Sequence, residues 1–139
     1  MITPETLADQ ETVFARAFAA RDLEIARPLY AFDVIYLSPT VRLLGWPARI
    51  EGVDRTLAFI TKTIERFERI TYRAVESAIV PGGAAAFVRV QFDWTSAGRR
   101  LRSSYVVVYR YRGGRIAEQD IYYDPSGAPE VLEDVTAVV

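Results

Sequence analysis

Histidine and cysteine are both missing from this 139-residue sequence. Without cysteine there is no disulfide framework, no thiolate nucleophile and no cysteine-ligated zinc or iron–sulfur cluster. Without histidine there is no Ser-His-Asp or Cys-His machinery, and the commonest metal ligand is gone. Neither a metal nor a cofactor is expected. Any general base has to be Asp, Glu, Tyr, the single lysine Lys62, or a water held by polar groups. Lysine is scarce in its own right: of seventeen basic residues sixteen are arginine, spread along the whole chain. The net charge of -1 gives no reason to expect a nucleic acid or an anionic membrane as partner. No apolar run approaches the roughly twenty residues of a membrane helix, and the amino terminus lacks a signal-peptide apolar stretch. A cytoplasmic location is the default expectation.

What is present is core material. Half the residues are hydrophobic and 12% aromatic, and a domain of this length buries roughly two-thirds of its unfolded surface. Thr3-Pro4 predicts a helix start, with Leu7, Phe14 and Phe18 on one face as far as Ala20. Asp22 caps a second helix through Leu29 that Pro28 must kink or split. VIYLSP (34–39) is a short strand ended by Pro39. Residues 40–53 are an irregular connection around Gly45-Trp46-Pro47, of the kind that often serves as a binding loop or lid. A third helix follows, capped by Asp54, with Leu57, Ile60, Ile64 and Phe67 at spacings of three and four. From Ile70 the period is two. Strands over about 70–80, 84–96, 99–111 and 115–124 are divided by Pro81-Gly82-Gly83, Ser96-Ala97-Gly98 and Gly113-Gly114. Residues 1–125 form one domain, and 126–139 an irregular tail.

Helices first and a meander afterwards predict an α+β domain, with three amino-terminal helices packed on a curved antiparallel sheet around a cone-shaped cavity. This order of elements resembles the nuclear-transport-factor-2-like superfamily. The resemblance is carried by RDLEIARPLYAFDVIYLSP (21–39) and GGRIAEQDIYYDP (113–125), and spans about residues 5 to 125. The superfamily includes ketosteroid isomerases, SnoaL-like polyketide cyclases and limonene-epoxide hydrolases, and it implies a cystatin-like cone. The acids of those enzymes do not carry over. The isomerase carboxylate falls on Ser38, its oxyanion-donating tyrosine on Phe14 and its protonated aspartate on Val107. The Arg-x-Asp pair of the epoxide hydrolases becomes Arg89-Val90-Gln91. The last-strand aspartate of hydrolases and cyclases falls on Ile121, one residue from Asp120, and one residue on a strand reverses the facing.

Two placements of Arg89 stay open. It shares a strand face with Phe87, Gln91 and Asp93, while Val88, Val90, Phe92 and Trp94 share the other. Inside the cavity, Arg89, held in place by Asp93 or Gln91, would stabilise an oxyanion, with Asp93 or a water on Tyr36 and Ser38 as base. Outside, it pairs with a surface carboxylate. Hydroxyls would come from Tyr36, Ser38, Tyr105 and Tyr123, and apolar walls from Phe14, Phe18, Trp46 and Phe59, with Val107 and Ile121 at the vacated acid positions. Asp120 is expected on the outer face, paired with Arg110, and Asp124-Pro125 as a strand terminator. The strands of 84–111 are apolar on both sides, so the outer face predicts a homodimer. Two functions follow: an enzyme of the SnoaL-like kind on an isoprenoid, steroid or polyketide-type compound, or a non-catalytic ligand-binding or dimerisation module that has lost the acids.

Overall fold

Thr3 and Pro4 start the first helix as their chemistry dictates. In a computed structural model describing residues 1–137, the Thr3 hydroxyl accepts the Thr6 N–H at 3.2 Å and the Thr6 hydroxyl accepts the Thr3 N–H at 2.8 Å. This reciprocal cap opens α1, Pro4–Ala20, and satisfies two amides that have no partner within the helix. Asp22 caps the next element through the Glu24 amide. That element is a 3-10 helix, Leu23–Leu29, which accommodates Pro28 within a short, tightly wound segment.

The chain then runs through β1 (Tyr30–Leu37), α2 (Val41–Leu44), β2 (Arg49–Glu51) and α3 (Val53–Ile64). The connection expected to be irregular over 40–53 therefore holds a helical turn and a short edge strand paired with β1. Gly52, not Asp54, caps α3, at φ +92°. Asp54 lies in the first turn and accepts from Arg27 Nη1 at 2.6 Å. The helix also ends before Phe67, whose ring instead stacks on Trp94 at 4.8 Å.

Strands β3 (Ile70–Ile79), β4 (Ala85–Ser96), β5 (Arg99–Arg112) and β6 (Arg115–Tyr122) form the expected meander. The sheet order is β2-β1-β6-β5-β4-β3, with β1 parallel to β6. The sheet is thus mixed rather than wholly antiparallel, because β1 reaches it from the helical layer by a crossover. Register shifts in β3 and between β5 and β6 bend it. Gly83, in the β3–β4 turn, is held at φ +73°, and its carbonyl accepts the Ile2 N–H at 2.9 Å. A Cβ there would stand 2.7 Å from the Ile2 carbonyl oxygen, which only glycine avoids.

The expected irregular tail contains a further strand. Glu130–Asp134, β7, pairs with the first half of β5 on the edge that β6 leaves free. Proline and glycine at 125–129 conceal it in sequence, and charge explains it. Arg99 lies 3.3 Å from Asp134 and Arg100 3.9 Å from Glu133, while Leu101 faces Val131. α1 and α3 cover the concave face, where Phe14 meets Tyr30, Tyr72 and Tyr109 at 6.0–6.1 Å and Phe18 packs on Tyr72 and Phe92. Among the described residues no helix is long and apolar enough to cross a membrane.

Candidate functional site

Between the two helices and the sheet lies a cavity of about 340 Å³. α1 supplies Phe14 and Phe18, and α3 supplies Ile60, Thr63 and Ile64. The floor is the inward row of β5, Ser103, Tyr105, Val107 and Tyr109, because alternate residues of a strand share a face. Phe92 and Trp94 of β4 flank it on one side, and Gln119, Ile121 and Tyr123 on the other. The exposed Leu43 and Leu44 of α2 stand at the mouth, opposite Pro125, Gly127 and Pro129. A hydrogen bond between the hydroxyls of Thr40 and Tyr123 ties these two sides together. Among the described residues no aspartate, glutamate, lysine or arginine lines the cavity.

The polar groups are phenols, hydroxyls and one amide. Tyr36 sits against Ser38, whose Oγ accepts the Thr40 N–H at 3.2 Å. Tyr30, fully buried behind the wall, donates to Gln119 Oε1 at 2.6 Å. Burial raises the phenols of Tyr30, Tyr36, Tyr72, Tyr105 and Tyr109 far above the ordinary tyrosine range, so all of them stay protonated at neutral pH.

A carboxyl stands one side chain behind this wall. Glu11, buried on α1, accepts from Tyr72 Oη at 2.6 Å and from Gln10 Nε2 at 3.0 Å, and Tyr111 donates to Gln10 Oε1 at 2.8 Å. Burial raises the Glu11 carboxyl, with the Tyr72 and Gln10 hydrogen bonds opposing. Its far side opens on a groove of about 700 Å³ between α1 and β3. Neither Glu11 nor Gln119 is a residue that sequence reasoning singled out. The signal for Glu11 is its place in the 7–11–14–18 apolar row of α1. Gln119 shares the inward parity of Ile121 and Tyr123.

Of the residues expected at the site, Phe14, Phe18, Tyr36, Ser38, Tyr105, Val107, Ile121 and Tyr123 come together on the cavity wall. Arg89, Gln91 and Asp93 do not. They lie on the outer face of β4, since the helices pack on Val88, Val90 and Phe92 and leave the alternate residues outside. There Arg89 Nε pairs with Glu76 at 3.1 Å, and Arg73 donates to Gln91 at 3.4 Å. Asp93 takes two hydrogen bonds from Arg102, at 2.7 and 3.0 Å, which hold its carboxyl below the usual range. Neither Arg89 nor Asp93 can serve the cavity as oxyanion holder and base. Trp46 and Phe59 pack on each other at 5.1 Å, with Phe59 buried against Tyr36, and form a layer behind the wall. Arg110 pairs with Glu118 rather than Asp120, which accepts from Tyr122 Oη at 2.7 Å on the outer face. Asp124 lies beyond the end of β6 and receives the amide and hydroxyl of Ser126. Among the described residues no cluster of acidic side chains is arranged to hold a metal ion.

A family model described as "SnoaL-like domain" matches residues 11–119. The chain belongs to the SnoaL-like family. Solved structures place this SnoaL-like domain in the nuclear-transport-factor-2-like fold. A protein of ketosteroid isomerase-like fold from Catenulispora acidiphila, solved in complex with trimethylamine, superposes with a TM-score of 0.70 at 18% identity, over 90% of this chain and 89% of that one. A SnoaL-like protein of Burkholderia thailandensis gives 0.69 at 17% identity, over 88% and 98%. An LEH-like epoxide hydrolase of Mycobacterium tuberculosis gives 0.65 at 18% identity, over 86% and 84%. No curated protein matches the sequence. At such identities the likeness is one of fold.

Proposed function

We propose that this SnoaL-like domain binds a neutral hydrophobic molecule of the polyketide, steroid or isoprenoid type and holds it without acid–base chemistry at the cavity wall. One observation carries the reading: among the described residues the lining contains no carboxylate and no cation. Ser38, Val107 and Ile121 stand where related enzymes keep acids, and each of the three lines the cavity. Apolar walls with a few placed polar groups suit binding, whereas turnover needs a group able to take or give a proton near neutral pH.

Glu11 favours a second reading, as an isomerase, cyclase or hydrolase. Its raised carboxyl, reached from the cavity through the Tyr72 hydroxyl, is among the described residues the acid placed to exchange a proton with a bound substrate.

A thermal-shift screen against steroids, terpene epoxides, aromatic lactones and aromatic acids tests the first reading. Neutral polycyclic compounds should stabilise the protein by about 2.7 kcal/mol at a hundred times their dissociation constant, and the gain should vanish in Ile121→Trp, which fills the cavity. Absence of any hit, or a preference for acids, sinks it. Conversion of a bound compound that is lost in Glu11→Gln while binding persists establishes the second.

The domain is further proposed to work as a homodimer through the outer sheet face. Phe87 is 44% exposed and Tyr122 56% exposed there, close to Val106 and Val108 of β5 in the strand register, which makes an apolar patch fringed by ion pairs. Sedimentation should give twice the chain mass, and Phe87→Glu should give a monomer. A wild-type monomer at tens of micromolar ends this proposal.

A further inference from the structure

We infer that the cavity recognises an uncharged carbonyl-type acceptor through two free donors, the Tyr105 hydroxyl and the Gln119 side-chain amide. This rests on the binding reading above and sharpens it to a ligand class.

Among the tyrosines at this site, Tyr105 is the exception. Tyr30 donates to Gln119, Tyr72 to Glu11, Tyr36 sits on Ser38, Tyr123 on Thr40, and Tyr109 beside Tyr72. The Tyr105 hydroxyl meets no protein partner among the described residues. Its ring lies on the cavity floor between those of Phe92, 6.4 Å away on one flank, and Tyr123, 6.5 Å away on the other. Gln119 is buried and its amide orientation follows from Tyr30. With Oε1 occupied by that phenol, Nε2 is left to the cavity without a protein acceptor. A buried donor left unmatched costs free energy that an acceptor on the ligand recovers.

Both free groups can donate and the Gln119 N–H can do nothing else, so a ligand atom shared between them is an acceptor. The surroundings decide its charge. Among the described residues no cation lines the wall, Glu11 stands behind Tyr72, and the burial that raises the Tyr36, Tyr72, Tyr105 and Tyr109 phenols also opposes a negative charge on a ligand. A carboxylate or phenolate ligand would lose its hydration for two neutral hydrogen bonds. A ketone, lactone or quinone oxygen gains the same bonds at far lower desolvation cost. The cavity of about 340 Å³ has room for a fused-ring ketone or lactone.

Three probes of one shape separate these terms: tetralin, 1-tetralone and tetralin-1-carboxylate, titrated at neutral pH by calorimetry and by quenching of Trp94, which lines the cavity. The ketone should bind about five- to tenfold more tightly than the hydrocarbon, and the carboxylate more weakly than both. Tyr105→Phe removes a hydroxyl that no protein group uses, so it should fold as the wild type does. It should cut the preference for the ketone and leave tetralin unchanged. The pair Gln119→Leu with Tyr30→Phe removes the amide together with the phenol it satisfies, and should reduce the same preference. Equal binding of ketone and hydrocarbon, a preference for the carboxylate, or a preference untouched by Tyr105→Phe each overturns the inference while leaving the cavity a binding site. Failure of all three probes to bind overturns the binding reading and the inference with it.

Discussion

Replacing Phe14 with alanine should destabilise the protein by about 3–5 kcal/mol, a large share of the stability of a domain of this size. The ring is almost fully buried and lies 6.0–6.1 Å from three others, edge-on to Tyr30 and stacked on Tyr109. It joins α1 to β1, β3 and β5 at once. Removal takes away the transfer free energy of the ring and leaves a void contiguous with the existing cavity, which a rigid aromatic shell cannot close. Urea unfolding measures the loss, and Phe14→Leu should restore most of it. A cost below about 1 kcal/mol would mean that α1 packs less tightly on the sheet than the ring geometry requires. Phe14→Tyr restores the residue type found there in the isomerases that this chain resembles. Glu11, three residues earlier on the same helix, already accepts from Tyr72.

Glu11 carries the second large effect, visible as a dependence on pH. Burial raises its carboxyl above the ordinary 4.5, so the folded protein holds this proton more firmly than the unfolded chain does. The resulting stabilisation is complete below about pH 4.5 and is lost as the pH climbs through the raised folded value. Asp93 works in the opposite direction. Arg102 lowers its carboxyl, and its contribution is lost as the medium becomes acid. The difference between wild type and Glu11→Gln isolates Glu11, because the neutral amide still accepts from Tyr72 and does not titrate. Unfolding free energies measured from about pH 4 to 8 should fall for the wild type relative to the variant. Parallel curves would show that folding does not raise the Glu11 carboxyl. Glu11→Leu should cost about 1–3 kcal/mol at every pH for each donor it orphans, the Tyr72 hydroxyl and the Gln10 amide.

Local order was legible from residues alone because its causes are local. The Thr3-Pro4 cap acts within four residues, and the strands of 70–122 alternate between glycine-containing turns, so both could be located from sequence. The resemblance at 21–39 and 113–125 led to the right superfamily by the same route, since those segments hold β1 and β6, the parallel pair of the sheet. The errors have one origin. Asp54 looks like a cap, but Gly52 takes the position because the chain enters α3 from β2 at a positive φ. The tail looks irregular, but β7 forms because Arg99, Arg100 and Arg102 lie on a strand edge that acidic side chains can neutralise in part.

The site itself depends on which side of β4 and β5 the helices cover. Either face of β4 carries apolar residues, so the alternation fixes which side chains go together without fixing which set is inside. Sequence alone determined that the chain has no histidine or cysteine chemistry and that it folds as helices on a meander. Only the tertiary structure decided that Arg89, Gln91 and Asp93 face outward, that Glu11 lies one hydroxyl from the cavity, and that Tyr105 and Gln119 present free donors to it. The physical reason is that facing and burial are set by contacts between segments far apart in the chain, Phe18 with Phe92 and Tyr30 with Gln119 among them.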